Sequence, residues 1–429
     1  MTHETDTPAL AGTPTLQRWI AVTGGNESPA QYHRWAFITA AACLLERNVW
    51  FRFGSKRIYP NMYVFLIGAT GARKNGAISP VKELLRLVGY KKFAKQRTSS
   101  QQFMVELARG YDMDEALNAG PDSIDATFVA AEEFLDFIGV GNLTFVTLLT
   151  NLWDNLPKYE ESYRKSEAVI CVNPTISILG GMTPTNLMLS LPAESGGIGF
   201  LSRAVLVYSE PPKTRITFPR TLEETQLKGF AEAFKQMSKL KGEMVFSQAG
   251  AALLDNIYQN YRYLDDARLG GYCSRRLEHL IKLCLVLAAL NDTMVITDEI
   301  VLEANSILAF TEEDMRRSFG EFGKSRNSEA SHKLISYMEH RNAPCGVDEL
   351  FKVVAQDIDR FQDVHNILLN LEKAERIMRS GSTYILKRVD ASQRRRFTAY
   401  SRYIAEAEAL YEYERDCAAL GRITANTDE

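Results

Sequence analysis

"NMYVFLIGATGARKNGA", residues Asn61–Ala77, decides how this chain is read. Its apolar run from Met62 to Ile67 has the length and continuity of a strand buried on both faces of a parallel sheet. A glycine turn and a lysine follow, and "ISPVKELLRLVGYKKF" after them has helical spacing. Strand, loop and helix in that order are the setting of the phosphate-binding pattern G-x-x-x-x-G-K-[ST]. Two positions depart from it: Arg73 stands at the second glycine and Asn75 at the hydroxyl residue.

Such a loop has to bring backbone N–H groups to phosphate oxygens, add the positive end of a helix, and neutralise the outer phosphates with a cation. Gly68, Gly71 and Lys74 meet those needs. The expected ATP-binding surface is therefore Gly68, Ala69, Thr70, Gly71, Ala72, Arg73, Lys74, Asn75 and Gly76. The Asn75 amide oxygen can serve Mg2+ in place of a hydroxyl, because magnesium accepts oxygen ligands generally. Arg73 needs a backbone path usually given to glycine, with its side chain turned outward or towards the phosphates. Taken alone, the match fits a tight strand–helix turn of any α/β protein equally well.

Four later segments bear on it. "TFVAAEEF" is an apolar run ending in two carboxylates, the form of a strand whose carboxyl edge holds Mg2+ through Glu132 and a water-activating base, Glu133. Acids at a helix start are the competing explanation. "TISILGGMTPTNL" ends a buried strand on Thr183, suited to sensing a γ-phosphate, although Thr before Pro is also common turn chemistry. "GGIGFLSRAVLVY" places Arg203 just before a strand, where an arginine can reach the nucleotide of a neighbouring subunit or simply form a surface ion pair. "SRRLEHLIKLCLVLAAL" sets Arg275 and Arg276 at what reads as a helix start, against its dipole, which suggests an anionic partner.

At 429 residues the chain has room for two or three domains. It is 45% hydrophobic and 24% charged with a net charge of −3, an ordinary globular balance that argues neither for nor strongly against nucleic acid. No apolar run is long enough for a membrane span and the polar start has no secretory core, so a cytoplasmic protein with no membrane partner is expected. Six scattered cysteines without C-x-x-C spacing read as reduced core thiols. Residues 1–15 are expected to be disordered, and two helices to precede the strand at Met62. Alternating strands and helices across 50–212 indicate an α/β core with a parallel sheet. After the break "SEPPKTRITFP", residues 213–325 read as helical, 326–390 as three short helices and a hairpin, and 391–429 as a helical tail.

In order, these pieces resemble an AAA+ ATPase, a P-loop NTPase whose three-layer core carries a helical lid subdomain. "GFLSRAVLVY" is similar to the L-x-S-R-F-D-L segment of minichromosome-maintenance helicases, and "SRRLEHLIKL" to their R-x-L-E-x-L-I-R-L segment. By that matching Arg203 is the arginine finger and Arg275 the sensor-2 arginine. Ala204, Val205 and Lys282 depart from it. The whole arrangement is also similar to phage and mobile-element replication proteins of the primase-helicase group, in which an Arg-Lys pair in the loop is common. Over about residues 20–390, with 1–49 as a helical lead-in and 326–390 as a winged helix, the resemblance implies a replicative DNA helicase forming a ring, expected to be a hexamer, with ATP between subunits.

Single-stranded DNA, duplex DNA and other replication proteins are the implied partners. Lys158, Arg164 and Lys165 in "PKYEESYRKSE" are the candidate strand contacts, and Lys373, Arg376, Arg379, Lys387, Arg388 and Arg394–Arg396 the candidate phosphate contacts of the winged helix. A solvated charged face explains the latter group as well. The rival reading is a non-hydrolysing replication initiator or helicase loader. A RecA-type core is a third, and it would remove the role given to Arg275.

Overall fold

A computed structural model of the chain describes residues 12–109, 123–162, 168–190, 197–212, 215–264, 266–320 and most of 330–386. Contacts divide the chain into two compact units, one reaching Ser318 and the other Phe319–Ala399.

The first unit begins with α1 (Pro14–Thr23) and α2 (Ala30–Leu45). Proline at the first helical position suits α1, where its missing N–H is no loss. Every residue of α2 from Tyr32 to Ala42 is buried, the apolar majority together with His33, Arg34 and Thr39. A hairpin follows, β1 (Val49–Phe53) and β2 (Lys56–Ile58), turning through Gly54 at φ +60°. The sequence gives no clear sign of it because both strands are short and half their side chains are exposed, leaving no apolar alternation to read.

Next come β3 (Tyr63–Ile67), α3 (Asn75–Val88), α4 (Ser100–Arg109), β4 (Ala126–Ala131), α5 (Phe134–Ile138) and α6 (Leu143–Leu152). A second hairpin, β5 (Lys158–Glu161) and β6 (Val169–Val172), precedes β7 (Thr175–Met182), α7 (Pro184–Ser190), α8 (Gly197–Leu201) and β8 (Ala204–Tyr208). Four of these strands make an all-parallel sheet in the order β4-β7-β3-β8. Beyond β4, residues 92–94 add a single parallel bridge, Phe93 to Phe128, where a fifth strand would lie. The α/β class with a parallel sheet agrees with the reading of the sequence. Every residue of β3 and β7 is buried, with α2 packed on β3, β7 and β8.

The helical stretch holds α9 (Glu224–Met237), α10 (Gln248–Asn260), α11 (Gly270–Leu290) and α12 (Asp298–Met315). Short strands stitch it in: β9 (Gly242–Glu243) pairs with β1, and β10 (Val245–Phe246) with β11 (Val295–Ile296). The start of α1 is fastened to α12 by a buried carboxylate. Glu303 accepts the Thr13 N–H at 2.9 and 3.0 Å and its hydroxyl at 2.8 Å, supplying the acceptors that an α1 N-terminus lacks.

In the second unit, described helical residues around Ala330, Leu334 and Met338 are followed by β12 (Cys345–Gly346), α13 (Val347–Val354), α14 (Phe361–Lys373), β13 (Ile377–Ser380) and β14 (Thr383–Leu386). The three strands form an antiparallel sheet in the order β12-β14-β13. Its core joins Leu334, Leu350, Leu368, Ile377 and Tyr384. Two of the three expected helices, α13 and α14, and the hairpin β13–β14 are present, the first expected helix falls largely outside the described residues, and β12 adds a strand that two residues cannot announce in sequence. The expected helical tail at 391–429 lies outside the described residues.

Candidate functional site

The loop after β3 lies at the carboxyl edge of the sheet, where open α/β folds bind ligands. Strand pairing continues into it, Gly68 N–H donating to Met182 O and Ser209 N–H to Ile67 O. From α2, the buried Tyr32 hydroxyl donates to Ile67 O at 2.7 Å. A β-carbon on Gly68 would sit 2.5 Å from that hydroxyl and 2.8 Å from Ser209 O, so only glycine fits. Sequence reasoning missed Tyr32. No spacing or motif in its helix marks it.

Gly71 and Arg73 both take left-handed backbone, at φ +88° and +57°. Arg73 thus follows the path usually given to glycine, a conformation costing a residue with a β-carbon about 1–2 kcal/mol. Its side chain turns out of the loop to Glu27, Nε donating at 2.5 Å, and Glu27 also accepts the Ile216 N–H at 2.6 Å. The Ile216 hydrogen bond, helped by the Arg73 pairing, holds the Glu27 carboxyl below its usual range. Among the described residues the N–H groups of Thr70, Gly71, Arg73 and Lys74 have no protein acceptor. Successive free N–H groups around left-handed residues make an anion-binding nest, here at the start of the 14-residue α3.

Lys74 is buried, and its Nζ donates to Gly68 O at 3.1 Å and Ala69 O at 3.3 Å. Desolvation lowers its pKa, opposed by the Glu133 carboxylate. Asn75 Nδ2 donates to Glu132 Oε2 at 2.8 Å. A carboxylate only accepts, so this contact fixes the amide orientation and leaves Asn75 Oδ1 as a free acceptor. Gly181 on β7 makes room for the Glu132 main chain, since a β-carbon there would fall on the Glu132 carbonyl oxygen. Thr183, at the end of β7, caps α7 by accepting the Asn186 N–H at 3.1 Å.

A cavity of about 570 Å³ joins these parts. Thr70, Gly71, Arg73, Lys74, Asn75 and Gly76 line it together with Glu133 and Thr183. Its other wall is Asn26, Glu27 and Ser28 before α2, and Ile216, Thr217 and Pro219 after the core. The volume lies within the range of small-molecule sites. Sequence reasoning singled out the first set of residues and missed the second, which belongs to two loops without a motif. Asn26 is fixed there because its Oδ1 accepts the Ser28 N–H at 2.7 Å and contacts the buried His33 Nε2 at 3.1 Å. Burial lowers the His33 pKa to about 3, so its ring is neutral.

Arg203 and Arg275 are elsewhere. Arg203 precedes Ala204, which pairs with Tyr63 at the amino end of β3, five residues and about 17 Å from the loop. Arg203 Nη2 donates to Asp154 Oδ2 at 2.8 Å and Nη1 to Gly199 O at 2.9 Å. Arg275 Nη1 lies 3.7 Å from Asp154 Oδ1 and 3.3 Å from Glu278. The helix starts at Gly270, so the two arginines sit in its second turn rather than against its dipole. Arg276 has an anionic partner within the chain, Glu312 at 2.6 Å, and both are buried.

Of the candidate DNA contacts, Lys158 is exposed on β5 and pairs with Glu160 at 3.0 Å. Arg379 on β13 donates to Gly381 O and faces the Tyr384 ring. Arg164, Lys165, Arg376, Lys387, Arg388, Arg394–Arg396 and the side chain of Lys373 lie outside the described residues. Cys43, Cys171, Cys273, Cys284 and Cys345 are buried and free, as expected of core thiols. Among the described residues no cluster of three or more acidic, His or Cys side chains offers a metal cage, and no helix is long and apolar enough to cross a membrane. No protein-family model matches the chain, and no curated protein does.

Proposed function

We propose that the chain is an ATP-dependent, ring-forming DNA helicase or translocase, with ATP and Mg2+ as cofactors, a P-loop core of AAA+ type and a winged helix in its second unit. The observation that carries this reading is the single cavity in which the nest, Lys74, Glu133 and Thr183 converge. Three separated sequence segments meet there, which a mere strand–helix turn does not require.

In this reading the free N–H groups of Thr70, Gly71, Arg73 and Lys74 hold phosphate oxygens, and Lys74 Nζ leaves its loop carbonyls for the outer phosphates. Asn75 Oδ1 and the Glu132 carboxylate fit Mg2+, which takes one or two protein oxygens and keeps several waters. When bound, that ion neutralises charge on the transferring phosphoryl group. Glu133 orients the attacking water and takes its proton on a carboxylate oxygen. The Thr183 hydroxyl, still a donor while it caps α7, addresses the γ-phosphate or that water. Arg203 and Arg275, too far to serve their own cavity, supply charge to the site of a second copy. The β5–β6 pair, with Lys158 exposed on β5, is the candidate DNA-strand contact.

The test is ATP hydrolysis with and without single-stranded DNA. Wild type is expected to hydrolyse ATP faster with DNA, and Lys74→Ala or Glu133→Gln to lose turnover while keeping the fold by circular dichroism. Wild-type turnover in either variant sinks the assignment. Nucleotide binding without hydrolysis in the wild type favours an initiator or loader instead.

A further inference from the structure

The amino-terminal edge of the sheet carries an arrangement that the cavity does not use. Trp153, fully buried after α6, has three basic side chains at its indole: the guanidinium carbons of Arg203 and Arg275 at 5.7 and 5.2 Å, and Lys282 Nζ at 4.5 Å. The next residue, Asp154, is the carboxylate common to both arginines. One oxygen takes Arg203 and the other Arg275, and the Asp154 side chain stays 41% exposed. Arg203 retains a buried Nε without an acceptor.

Two guanidiniums on one ring repel each other unless an anion lies between them. Among the described residues the only other carboxylate paired with either is Glu278, which touches Arg275 alone. Arg203 and Arg275 come from different elements, the α8–β8 turn and α11, so no local geometry sets their spacing. Asp154 is the carboxylate they share, one arginine on each oxygen, at 2.8 and 3.7 Å. A phosphoryl group likewise presents separate oxygens to neighbouring cations and accepts charge-assisted hydrogen bonds from arginine. We propose that Asp154 is a positioning residue that gathers Arg203 and Arg275 into one pair for a nucleotide phosphate presented by a second copy of the chain. The inference rests on the ATPase reading above.

Without Asp154 the two arginines separate, and the neighbouring site loses its transition-state charge while its own nucleotide contacts are untouched. Asp154→Ala is therefore expected to lower kcat for DNA-stimulated ATP hydrolysis at least tenfold with KM for ATP changed less than threefold, and Asp154→Glu to recover part of the loss. The deciding measurement mixes equal amounts of Lys74→Ala and Asp154→Ala protein. A Lys74→Ala subunit brings an intact arginine pair to the intact loop of an Asp154→Ala subunit, so the mixture should hydrolyse ATP several-fold faster than either alone. If wild type and Lys74→Ala behave alike, the ATPase reading itself falls and takes this inference with it. If Lys74→Ala is inactive but Asp154→Ala keeps wild-type kcat, or Asp154→Ala is inactive and mixing restores nothing, Asp154 has no such role and the inference alone is overturned.

Discussion

Replacing Lys282 with methionine should change how stability depends on pH, by an amount that the burial of its amine sets. Lys282 Nζ is wholly enclosed and donates to Tyr59 O at 2.8 Å and Asn61 Oδ1 at 2.6 Å. Among the described residues no carboxylate touches it, and desolvation drives its pKa down to about 7, with Glu278 and Asp154 opposing from a distance. In the unfolded chain a lysine titrates near ~10.4. Between those values the unfolded state binds one more proton than the folded state, so stability rises with pH. The contribution of the neutral amine is complete above the unfolded pKa and is lost as pH falls through the folded one.

Integrated, the penalty for burying Lys282 is about 4 kcal/mol at pH 7 and about 1 kcal/mol at pH 9.5. Methionine fills the same volume without a charge. It leaves Tyr59 O without this donor, while Asn61 Oδ1 keeps Asn155 Nδ2 at 2.7 Å. That cost does not vary with pH. Denaturant unfolding of wild type and Lys282→Met at both pH values should show the wild type gaining about 3 kcal/mol on the variant as pH rises. Thiol titration affects both proteins equally and cancels in the difference. Parallel stability curves would refute the claim that this amine is held neutral by burial.

At Arg73 the backbone strain is separable from the side chain: Arg73→Gly should be about 1 kcal/mol more stable than Arg73→Ala, because only alanine keeps a β-carbon at a positive φ. Equal melting of the two would remove the strain from the account. Gly181→Ala drives a methyl into the Glu132 carbonyl and should cost about 1–3 kcal/mol, with a fall in ATP turnover, as read by denaturation and phosphate release. Arg276→Met leaves Glu312 buried with only the Tyr272 hydroxyl and should destabilise by about 3–5 kcal/mol, largely recovered in the double variant with Glu312→Met. A double variant no better than the single would mean that the unpaired charge is not the source of the loss.

The sequence by itself determined the elements whose chemistry is local. The short apolar runs before the glycine turn and before Thr183 read as strands buried on both faces, as β3 and β7 are, and the lysine after the glycine turn as a helix start, as Lys74 is. Left-handed backbone at Arg73 likewise followed from position alone, although an arginine there hid it. Tertiary structure decided everything that depends on which distant groups share a space. Tyr32, Glu27 and Ile216 reached the loop from α2, its lead-in and the segment after the core, with no periodicity to mark them. The anionic partners of Arg203, Arg275 and Arg276 proved to be Asp154, Glu278 and Glu312, acids that in sequence resemble any solvated charge. Helix and strand propensities act over a few residues, but the field and the packing at a side chain are set by whatever the fold brings within a few ångströms of it, and linear spacing does not encode that.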